Sequence, residues 1–247
     1  MQNREAYRVL GILGGLGPMA TVYFYEMLTE HTKVTRDQDH IDMVISSRAT
    51  TPDRTAFILG QSDENPLPVM VEEAGRLIRA GAEVIVLPCN TAHYFYDELS
   101  RQTGVPIINI ITETVSYCAA QGWNKVGILA TEGTVKSGAY HEVCRRAGIE
   151  AVAPSEAEQA VISDIIYGQI KKGLPVDYDR FFAVADSLRA QGCQTLILGC
   201  TELSLLKREF GLGDEFTDSL EVLALSAIKL CGKEPTGFSD ELMSFKP

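Results

Sequence analysis

Short apolar stretches rich in β-branched residues alternate with amphipathic stretches of helical period along most of the chain. The apolar stretches predict strands at Arg8–Leu13, Met43–Ser46, Glu83–Leu87, Ile107–Ile110, Lys125–Ala130, Ala151–Ala153 and Thr195–Leu198. The amphipathic stretches predict helices at Ala20–His31, Pro66–Ala80, Thr91–Thr103, Thr112–Gln121, Val135–Ala147, Glu156–Lys172, Tyr178–Gln191 and Leu220–Leu230. This alternation is typical of a parallel sheet covered by helices. The periodicity is lost over Gly232–Pro247, which we expect to be a surface tail.

One segment of the chain recurs in altered form later in the sequence. LIRAGAEVIVLPCNT begins at Leu77, and LRAQGCQTLILGCTE begins at Leu188. In both copies a glycine ends a helix, a buried strand follows, and a cysteine comes after the strand. The opening strands also match, as GILGG and GILAT. We therefore expect two similar α/β halves, each with one strand that ends in a cysteine.

Composition and charge exclude several classes of protein. The 247 residues include 22 Lys and Arg against 33 Asp and Glu, a formal net charge of −11 that would repel a nucleic-acid backbone. The apolar runs are much shorter than the roughly 18 residues that a membrane-spanning helix needs. The opening MQNREAYRVLG has no apolar signal core. We expect a cytoplasmic protein that binds neither nucleic acid nor membrane.

Six cysteines are scattered along the chain without a C-x-x-C pair, and the four histidines have no ligand spacing. This pattern indicates reduced thiols rather than disulfides or a structural zinc site. Cys118, Cys144 and Cys231 occupy apolar positions of helical stretches, where cysteine acts as a small buried hydrophobe.

Cys89 and Cys200 differ from the other cysteines because each follows a predicted strand and precedes residues that suit a helix start. Ligands of open parallel sheets bind beyond the carboxyl ends of the strands. The N-terminus of a helix stabilises a thiolate, so each of these cysteines can serve as a base that is readily reprotonated. Two halves that face each other would place one thiol on either side of a small ligand. One sulfur then removes a proton from one face while the other delivers a proton to the opposite face, which inverts a carbon centre.

A glycine-rich turn, Gly14-Gly15-Leu16-Gly17-Pro18, connects the first strand and the first helix. Its spacing meets the dinucleotide-binding pattern only formally, because Pro18 removes a backbone N–H and no acid follows the second strand. A simpler interpretation is a turn that brings the helix N-terminus close to a carboxylate ligand.

Two arginines follow the second predicted strand in the segment SSRATTPDRT. Arg48 and Arg54 can hold a carboxylate by paired hydrogen bonds, but Arg54 can equally pair with Asp53 or Glu73 on the surface. Arg48 can also read the 2′-phosphate of a nucleotide. His93, four residues after Cys89, can tune that thiol or simply pack in the core.

Seven motifs together resemble the aspartate/glutamate racemase family, particularly its aspartate racemase branch. They are GILGGLGPMAT, RDQDH, PDRTAFILG, LPCNTAH, GILATEGT, IIYGQIKKG and LGCTEL, and the resemblance covers residues 7–230. Glutamate racemases of this family typically have Asp-Ser in the first glycine loop and a histidine after Gly-Cys-Thr. This chain has Leu16-Gly17 and Glu202 at those places.

The resemblance implies a cofactor-independent racemase that interconverts L- and D-aspartate, with glutamate as a second candidate substrate, and that forms a homodimer. It implies two pseudo-symmetric three-layer α/β domains with mostly parallel sheets and the active site in the cleft between them. The first domain would comprise residues 1–112 plus 217–247, and the second residues 113–216. Cys89 and Cys200 correspond to the acid/base pair. The corresponding substrate contacts are Arg54, Asn90, Thr91, Thr131, Lys171 and Thr201.

Two positions depart from the family pattern. Leu16 stands where many relatives have methionine, and Arg48 stands where asparagine or proline is common. Arg48 is therefore a further candidate for substrate binding, or else a partner of a nearby acid such as Asp53. The alternatives to an aspartate racemase are an amino-acid-binding protein without catalysis, a related racemase or isomerase for another acid, and a nucleotide-dependent oxidoreductase.

Overall fold

A computed structural model describes residues 8–247, in which two four-stranded sheets are built entirely of parallel pairs. The first sheet has the order β2-β1-β3-β4 and contains β1 (Leu10–Gly14), β2 (Met43–Ser47), β3 (Val84–Val86) and β4 (Ile107–Ile108). The second has the order β6-β5-β7-β8 and contains β5 (Lys125–Leu129), β6 (Glu150–Val152), β7 (Thr195–Leu198) and β8 (Phe216–Asp218). Because the two orders are equivalent, the predicted α/β fold of two similar halves is confirmed. The first and second halves are named here after these sheets.

Twelve α-helices within residues 8–247 flank the sheets. They are α1 (Pro18–Glu30), α2 (Arg54–Ile58), α3 (Leu67–Arg79), α4 (Tyr96–Thr103), α5 (Ile110–Ala120), α6 (Glu132–Ser137), α7 (Ala139–Arg146), α8 (Glu156–Ser163), α9 (Tyr178–Ala190), α10 (Thr201–Phe210), α11 (Ser219–Leu230) and α12 (Asp240–Ser244). Single 3₁₀ turns lie at Asp37–Asp39, Thr91–Phe95 and Ile170–Lys172, and a π turn lies at Asp164–Gln169. In this part of the chain no helix has both the length and the apolar character needed to cross a membrane.

Several elements differ from the sequence prediction. β8, α2, α10 and α12 were not predicted, and the C-terminal segment expected to be a tail contains α12. The predicted helix Val135–Ala147 is two helices, because Gly138 adopts a left-handed conformation with φ of 69° between them. The predicted helix Thr91–Thr103 begins as a 3₁₀ turn and becomes α-helical only at Tyr96.

The core is organised in three layers of buried side chains. The central layer lies between the two sheets, where Ile12 and Val86 of the first sheet share one apolar cluster with Ile128 and Ile197 of the second. Separate clusters cover the outer face of each sheet. The two halves therefore pack against each other through a continuous apolar core.

Helix α11 contacts both α1 and α5 in this central layer. It also contacts β4 of the first sheet. The second predicted domain boundary, at residue 217, falls inside β8, all of which pairs with β7. The division into residues 1–112 plus 217–247 and 113–216 stays a prediction, and its first seven residues lie outside the described part of the chain.

Two glycines at corresponding positions of β1 and β5 make room for the helix that packs on each sheet. A Cβ on Gly11 would lie 2.8 Å from the Cβ of Ala82, and a Cβ on Gly127 would lie 2.6 Å from Cδ2 of Leu196. The Ala82 atom is fixed to the backbone, whereas the Leu196 atom is the end of a flexible side chain.

We expect Gly11→Ala to lower the free energy of unfolding by about 1–3 kcal/mol, the usual cost of overpacking a core. Gly127→Ala, the matched variant, should cost less because Leu196 can rotate away. Urea denaturation of both variants measures the difference. An equal or larger loss in Gly127→Ala would contradict this packing argument.

Candidate active site

One small pocket collects most of the residues singled out in the sequence. It has a cavity volume of about 10 Å³ and lies beyond the carboxyl ends of β3, β5 and β7. The first half contributes Leu16, Asp53, Arg54, Thr55, Cys89, Asn90 and Thr91. The second half contributes Thr131, Tyr167, Lys171, Cys200, Thr201 and Glu202. Of the nine predicted site residues, Arg48 is the one that does not line this pocket.

The two pocket cysteines are buried, with exposed fractions of 6% for Cys89 and 5% for Cys200. Cys89 follows β3 through a tight turn in which its N–H donates to the Leu87 carbonyl at 2.8 Å. Cys200 is the N-cap residue of α10. Both thiols are free rather than disulfide-bonded. Each half of the repeat therefore delivers one thiol to the same enclosed space.

The environment of Cys200 opposes formation of its thiolate. Burial raises the pKa of the Cys200 thiol well above its ordinary value, and the nearby charge of Glu202 adds to that effect against the opposing charge of Lys171. The thiol donates to Oε2 of Glu202 at 3.0 Å. The sequence argument considered only the helix N-terminus, which favours the thiolate. In the structure, desolvation and the adjacent carboxylate outweigh that contribution.

Arg54 presents a buried cation to the pocket, and no carboxylate of residues 8–247 forms an ion pair with it. Its guanidinium donates to the carbonyls of Leu16 at 2.8 Å, Pro52 at 2.9 Å and Thr51 at 3.2 Å. The Nε atom is buried and has no hydrogen-bond partner within the described residues. Buried donors in native proteins are almost always paired, so this site lacks an acceptor that an anionic ligand can supply.

The surface ion pair considered for Arg54 in the sequence is not formed. Asp53 instead caps α2 by accepting from the Ala56 N–H at 2.7 Å. Glu73 pairs with Arg48 at 2.7 Å and with Arg76 at 2.9 Å. Arg48 also contacts Glu72 at 3.1 Å, so its charge is balanced outside the pocket.

Lys171 supplies the second cation of the pocket. Its Nζ lies 3.6 Å from Oε1 of Glu202 and 4.6 Å from the ring centroid of Tyr167. Burial opposes the charged form, but nearby negative charge, chiefly that of Glu202, outweighs burial, so the pKa of Lys171 is raised and the side chain is cationic. Tyr167 lies in the π turn and donates its hydroxyl to Oγ1 of Thr55 at 2.7 Å. Its pKa is raised to about 12, mainly by burial.

Hydroxyl groups connect the two halves across the pocket. Oγ1 of Thr91 lies 2.9 Å from the hydroxyls of both Thr131 and Thr134, which are themselves 3.0 Å apart. Thr201 donates to the carbonyl of Pro88 at 3.2 Å. These bonds fix the relative position of the loops that carry Cys89 and Cys200.

Both the nitrogen and the oxygen of the Asn90 side-chain amide form hydrogen bonds. It donates to the Ser219 hydroxyl at 2.9 Å and accepts from the Tyr140 hydroxyl at 2.7 Å. Asn90 therefore anchors the Cys89 loop to the second half, and its remaining N–H can still face a ligand.

The glycine-rich turn is explained by close backbone approach. Gly15 has φ of 82°, and a Cβ there would lie 2.5 Å from the backbone nitrogen of Arg48. A Cβ on Gly17 would lie 2.6 Å from Oε1 of Glu202. Both glycines thus serve packing beside the pocket. Within residues 8–247, no group of three or more His, Cys, Asp or Glu side chains is placed to hold a metal ion.

Residues 13–227 match the family described as Asp/Glu/hydantoin racemases. The chain belongs to this family. An aspartate racemase structure from Picrophilus torridus superposes with a TM-score of 0.82 at 28% identity, covering 96% of this chain and all of the other. The broad specificity amino-acid racemase RacX of Bacillus subtilis is 27% identical over 89% of this chain and 96% of its own length. A glutamate racemase from Aquifex pyrophilus is 32% identical over 67% of this chain and 65% of its own length.

These matches make the chain an amino-acid racemase of the Asp/Glu racemase family, and they confirm the resemblance seen in its motifs. They include aspartate, glutamate and broad-specificity racemases, so they do not select a substrate.

Four polar residues line the pocket that were not assigned to the site from the sequence: Asp53, Thr55, Tyr167 and Glu202. Glu202 directly follows the Gly-Cys-Thr motif and Tyr167 lies in IIYGQIKKG, so proximity to the motifs was the available signal. Their contacts depend on the approach of α2 to the π turn and on the start of α10, which local patterns do not specify.

His93 has a structural role beneath the pocket. Its Nδ1 bonds the Cys89 carbonyl at 2.9 Å, and its Nε2 accepts from the Ile110 N–H at 3.2 Å. This pairing requires the neutral ring with the proton on Nδ1. Burial lowers the pKa of His93 from its ordinary 6.5 to about 4.

Acidification is therefore expected to destabilise the fold through His93. The unfolded chain takes up the proton below about pH 6.5, whereas the folded chain does so only near the lowered pKa of about 4, so stability falls across that interval. The difference between the two values corresponds to roughly 3 kcal/mol. In His93→Gln this dependence should be lost, as measured by urea denaturation between about pH 7 and pH 4.

Comparing wild type with His93→Gln cancels the contributions of other titrating groups, because both proteins contain them. Burial raises the pKa of Asp218 to about 6, which acts in the opposite direction, but Asp218 is present in both chains. Parallel stability curves for wild type and His93→Gln would contradict the assignment of a neutral buried His93.

Proposed function

We propose that the protein is a cofactor-independent racemase that interconverts L- and D-aspartate, with glutamate as a possible second substrate. The observation that carries the proposal is the joint placement of Cys89, Cys200 and two cations in one buried pocket. Two sulfur atoms can serve opposite faces of a small molecule, and the cations suit the two carboxylates of an acidic amino acid.

The proposed reaction removes the proton from one face of the α-carbon and adds a proton to the opposite face. A thiolate removes the α-proton, the electron pair of the broken C–H bond delocalises into the α-carboxylate, and the opposite thiol donates its proton to the other face. The starting thiolate becomes a thiol and the starting thiol becomes a thiolate, so no net proton is gained or lost. The reverse reaction exchanges the roles of Cys89 and Cys200.

Carboxylate neutralisation lowers the barrier because the α-proton of an amino acid is only weakly acidic. Arg54 is oriented by three backbone carbonyls before any ligand binds. Preorganised donors in a water-poor pocket stabilise developing charge more strongly than water does. We assign Arg54 and Lys171 to the substrate carboxylates. Asn90, Thr91, Thr131 and Thr201 are the remaining proposed contacts to the α-carboxylate and ammonium groups.

The relatives act on different substrates and do not settle the substrate of this chain, but two of them support an order of candidates. The similarity to the Picrophilus torridus aspartate racemase extends along the whole of that chain, which favours aspartate. The similarity to a broad specificity racemase over nearly its whole length favours a tolerant enzyme as the second candidate.

Proton NMR of L-aspartate and, separately, L-glutamate in heavy water with the reduced protein and no added cofactor tests the proposal. We expect loss of the α-proton signal together with formation of the D enantiomer, and the relative rates identify the preferred substrate. Absence of exchange with both acids, from folded protein, would contradict the proposal. Binding of aspartate without exchange would indicate a binding protein instead.

The homodimer implied by the resemblance and the cytoplasmic location expected from the sequence belong to the same proposal. Light scattering of the purified chain tests the homodimer directly, and a monomer that racemises aspartate would contradict that part alone.

A further inference from the structure

The two pocket cysteines occupy equivalent positions of the internal repeat, but the residues two positions after them differ. Thr91 follows Cys89 at this distance, and Glu202 follows Cys200. Thr91 forms hydrogen bonds with other hydroxyls, whereas Glu202 places a carboxylate oxygen 3.0 Å from the Cys200 sulfur. The charges next to the two cysteines therefore differ, although the two halves have the same fold.

Contacts from both halves hold Glu202 in this position. Its side chain is 8% exposed, and Oε1 lies 3.6 Å from Nζ of Lys171. In the first half, Gly17 lies next to this carboxylate. A Cβ added to Gly17 would be 2.6 Å from Oε1 of Glu202. The glycine at this position leaves space for the carboxylate.

The contact has opposite effects on the two protonation states of Cys200. The thiol donates a hydrogen bond to the carboxylate, whereas a thiolate would place a second negative charge about 3 Å from it in a buried site. No carboxylate accepts a hydrogen bond from Cys89 within residues 8–247. Besides Glu202, the charged or titratable groups that line the pocket with Cys200 are Lys171, Arg54, Asp53, Tyr167 and Cys89.

We propose that Glu202 is a positioning residue that keeps Cys200 protonated in the free enzyme. Cys89 is then the sulfur that starts as the base, and Cys200 is the sulfur that starts as the acid. This inference rests on the proposed racemase function for its catalytic meaning. After a turnover that begins in this way, the proton resides on Cys89, and the free enzyme returns to its starting state when that proton passes through solvent to Cys200.

Thiolates absorb at 240 nm, so a pH titration followed at this wavelength measures the ionisation of the cysteines without a substrate. Subtracting the titration curve of Cys200→Ser from that of wild type isolates Cys200, and Cys89→Ser isolates Cys89 in the same way. We expect Cys89 to ionise at lower pH than Cys200. In Glu202→Gln, ionisation of Cys200 should move down by at least about one pH unit, a tenfold change in the ionisation constant, with Cys89 little changed.

Two further variants separate this role from a general effect on the pocket. Asp53→Asn removes the other pocket carboxylate while keeping a residue that caps α2, and it should leave the order of ionisation unchanged. Lys171→Gln removes the opposing cation and should move ionisation of Cys200 upward. If Glu202→Gln fails to fold, the order in which the two cysteines ionise in wild type and the shift in Lys171→Gln still test the proposal.

Ionisation of Cys200 at or below the pH of Cys89 in wild type would overturn the proposal, as would a Glu202→Gln curve identical to wild type. These readouts are independent of catalysis, so a failure of racemisation in the NMR experiment is distinguishable from a failure here. In an active enzyme, Glu202→Gln should also shift the pH profile of kcat/KM, which a purely structural role would not do.

Discussion

Cys89→Ser and Cys200→Ser are each expected to lower the rate of aspartate racemisation by roughly 10²–10⁴-fold, the usual contribution of a positioned general acid or base. Serine preserves the size of the side chain, but its hydroxyl is a far weaker acid than a thiol and does not supply an anion near neutral pH. Each variant removes the acid/base group that serves one face of the α-carbon. Polarimetry or chiral chromatography of the aspartate pool measures the loss.

Cys193→Ser is the matched control for these two variants. Cys193 is also a buried free thiol, but it lies before β7 and outside the pocket. It should retain nearly wild-type activity. Near-full activity in either pocket variant would contradict the two-thiol mechanism, and loss of activity in all three variants would indicate a general requirement for reduced thiols.

Arg54→Lys is expected to lower kcat/KM for aspartate by roughly 30-fold or more. The substitution keeps the charge but removes the planar fork, and truncating a buried hydrogen-bonded charge pair costs about 2–5 kcal/mol. The three carbonyls that orient Arg54 would also lose donors, so the remaining ammonium group is poorly positioned. Steady-state kinetics with both enantiomers, together with circular dichroism, measures the effect.

Arg48→Lys provides the matched arginine control. Arg48 pairs with Glu72 and Glu73 outside the pocket, so its replacement should change kcat/KM for aspartate by much less. A larger effect from Arg48→Lys than from Arg54→Lys would contradict the assignment of Arg54 to a carboxylate. It would support the substrate role for Arg48 that the sequence also allows.

Much of the fold could be predicted because its signals are local. β-Branched runs marked seven of the eight strands, and the repeat at Leu77 and Leu188 revealed the two halves before any coordinates. β8 was missed because its residues, Phe-Thr-Asp, form no apolar run, and pairing with β7 defines it as a strand. Helix α10 was missed although Cys200 was expected to precede a helix start.

The candidate site shows a similar division. Cys89, Cys200, Arg54 and Lys171 were found because motifs and strand ends mark them, and the structure brings them to one pocket. The orientation of Arg54 depends on carbonyls from two separate loops, and the charge around Cys200 depends on the distance to Glu202. These are tertiary distances, which residue type and spacing do not encode.

The central apolar layer also bears on how such a molecule could have arisen from a shorter one. Ile12 and Val86 of the first sheet and Ile128 and Ile197 of the second belong to one apolar cluster that both halves cover together. A polypeptide corresponding to one half would expose this apolar face to water, which favours association with a second copy. Duplication and fusion of a gene for such a self-associating polypeptide would convert an interface between subunits into the interior of one chain. After fusion, the positions of Thr91 and Glu202 could change independently, which would give each thiol a different environment.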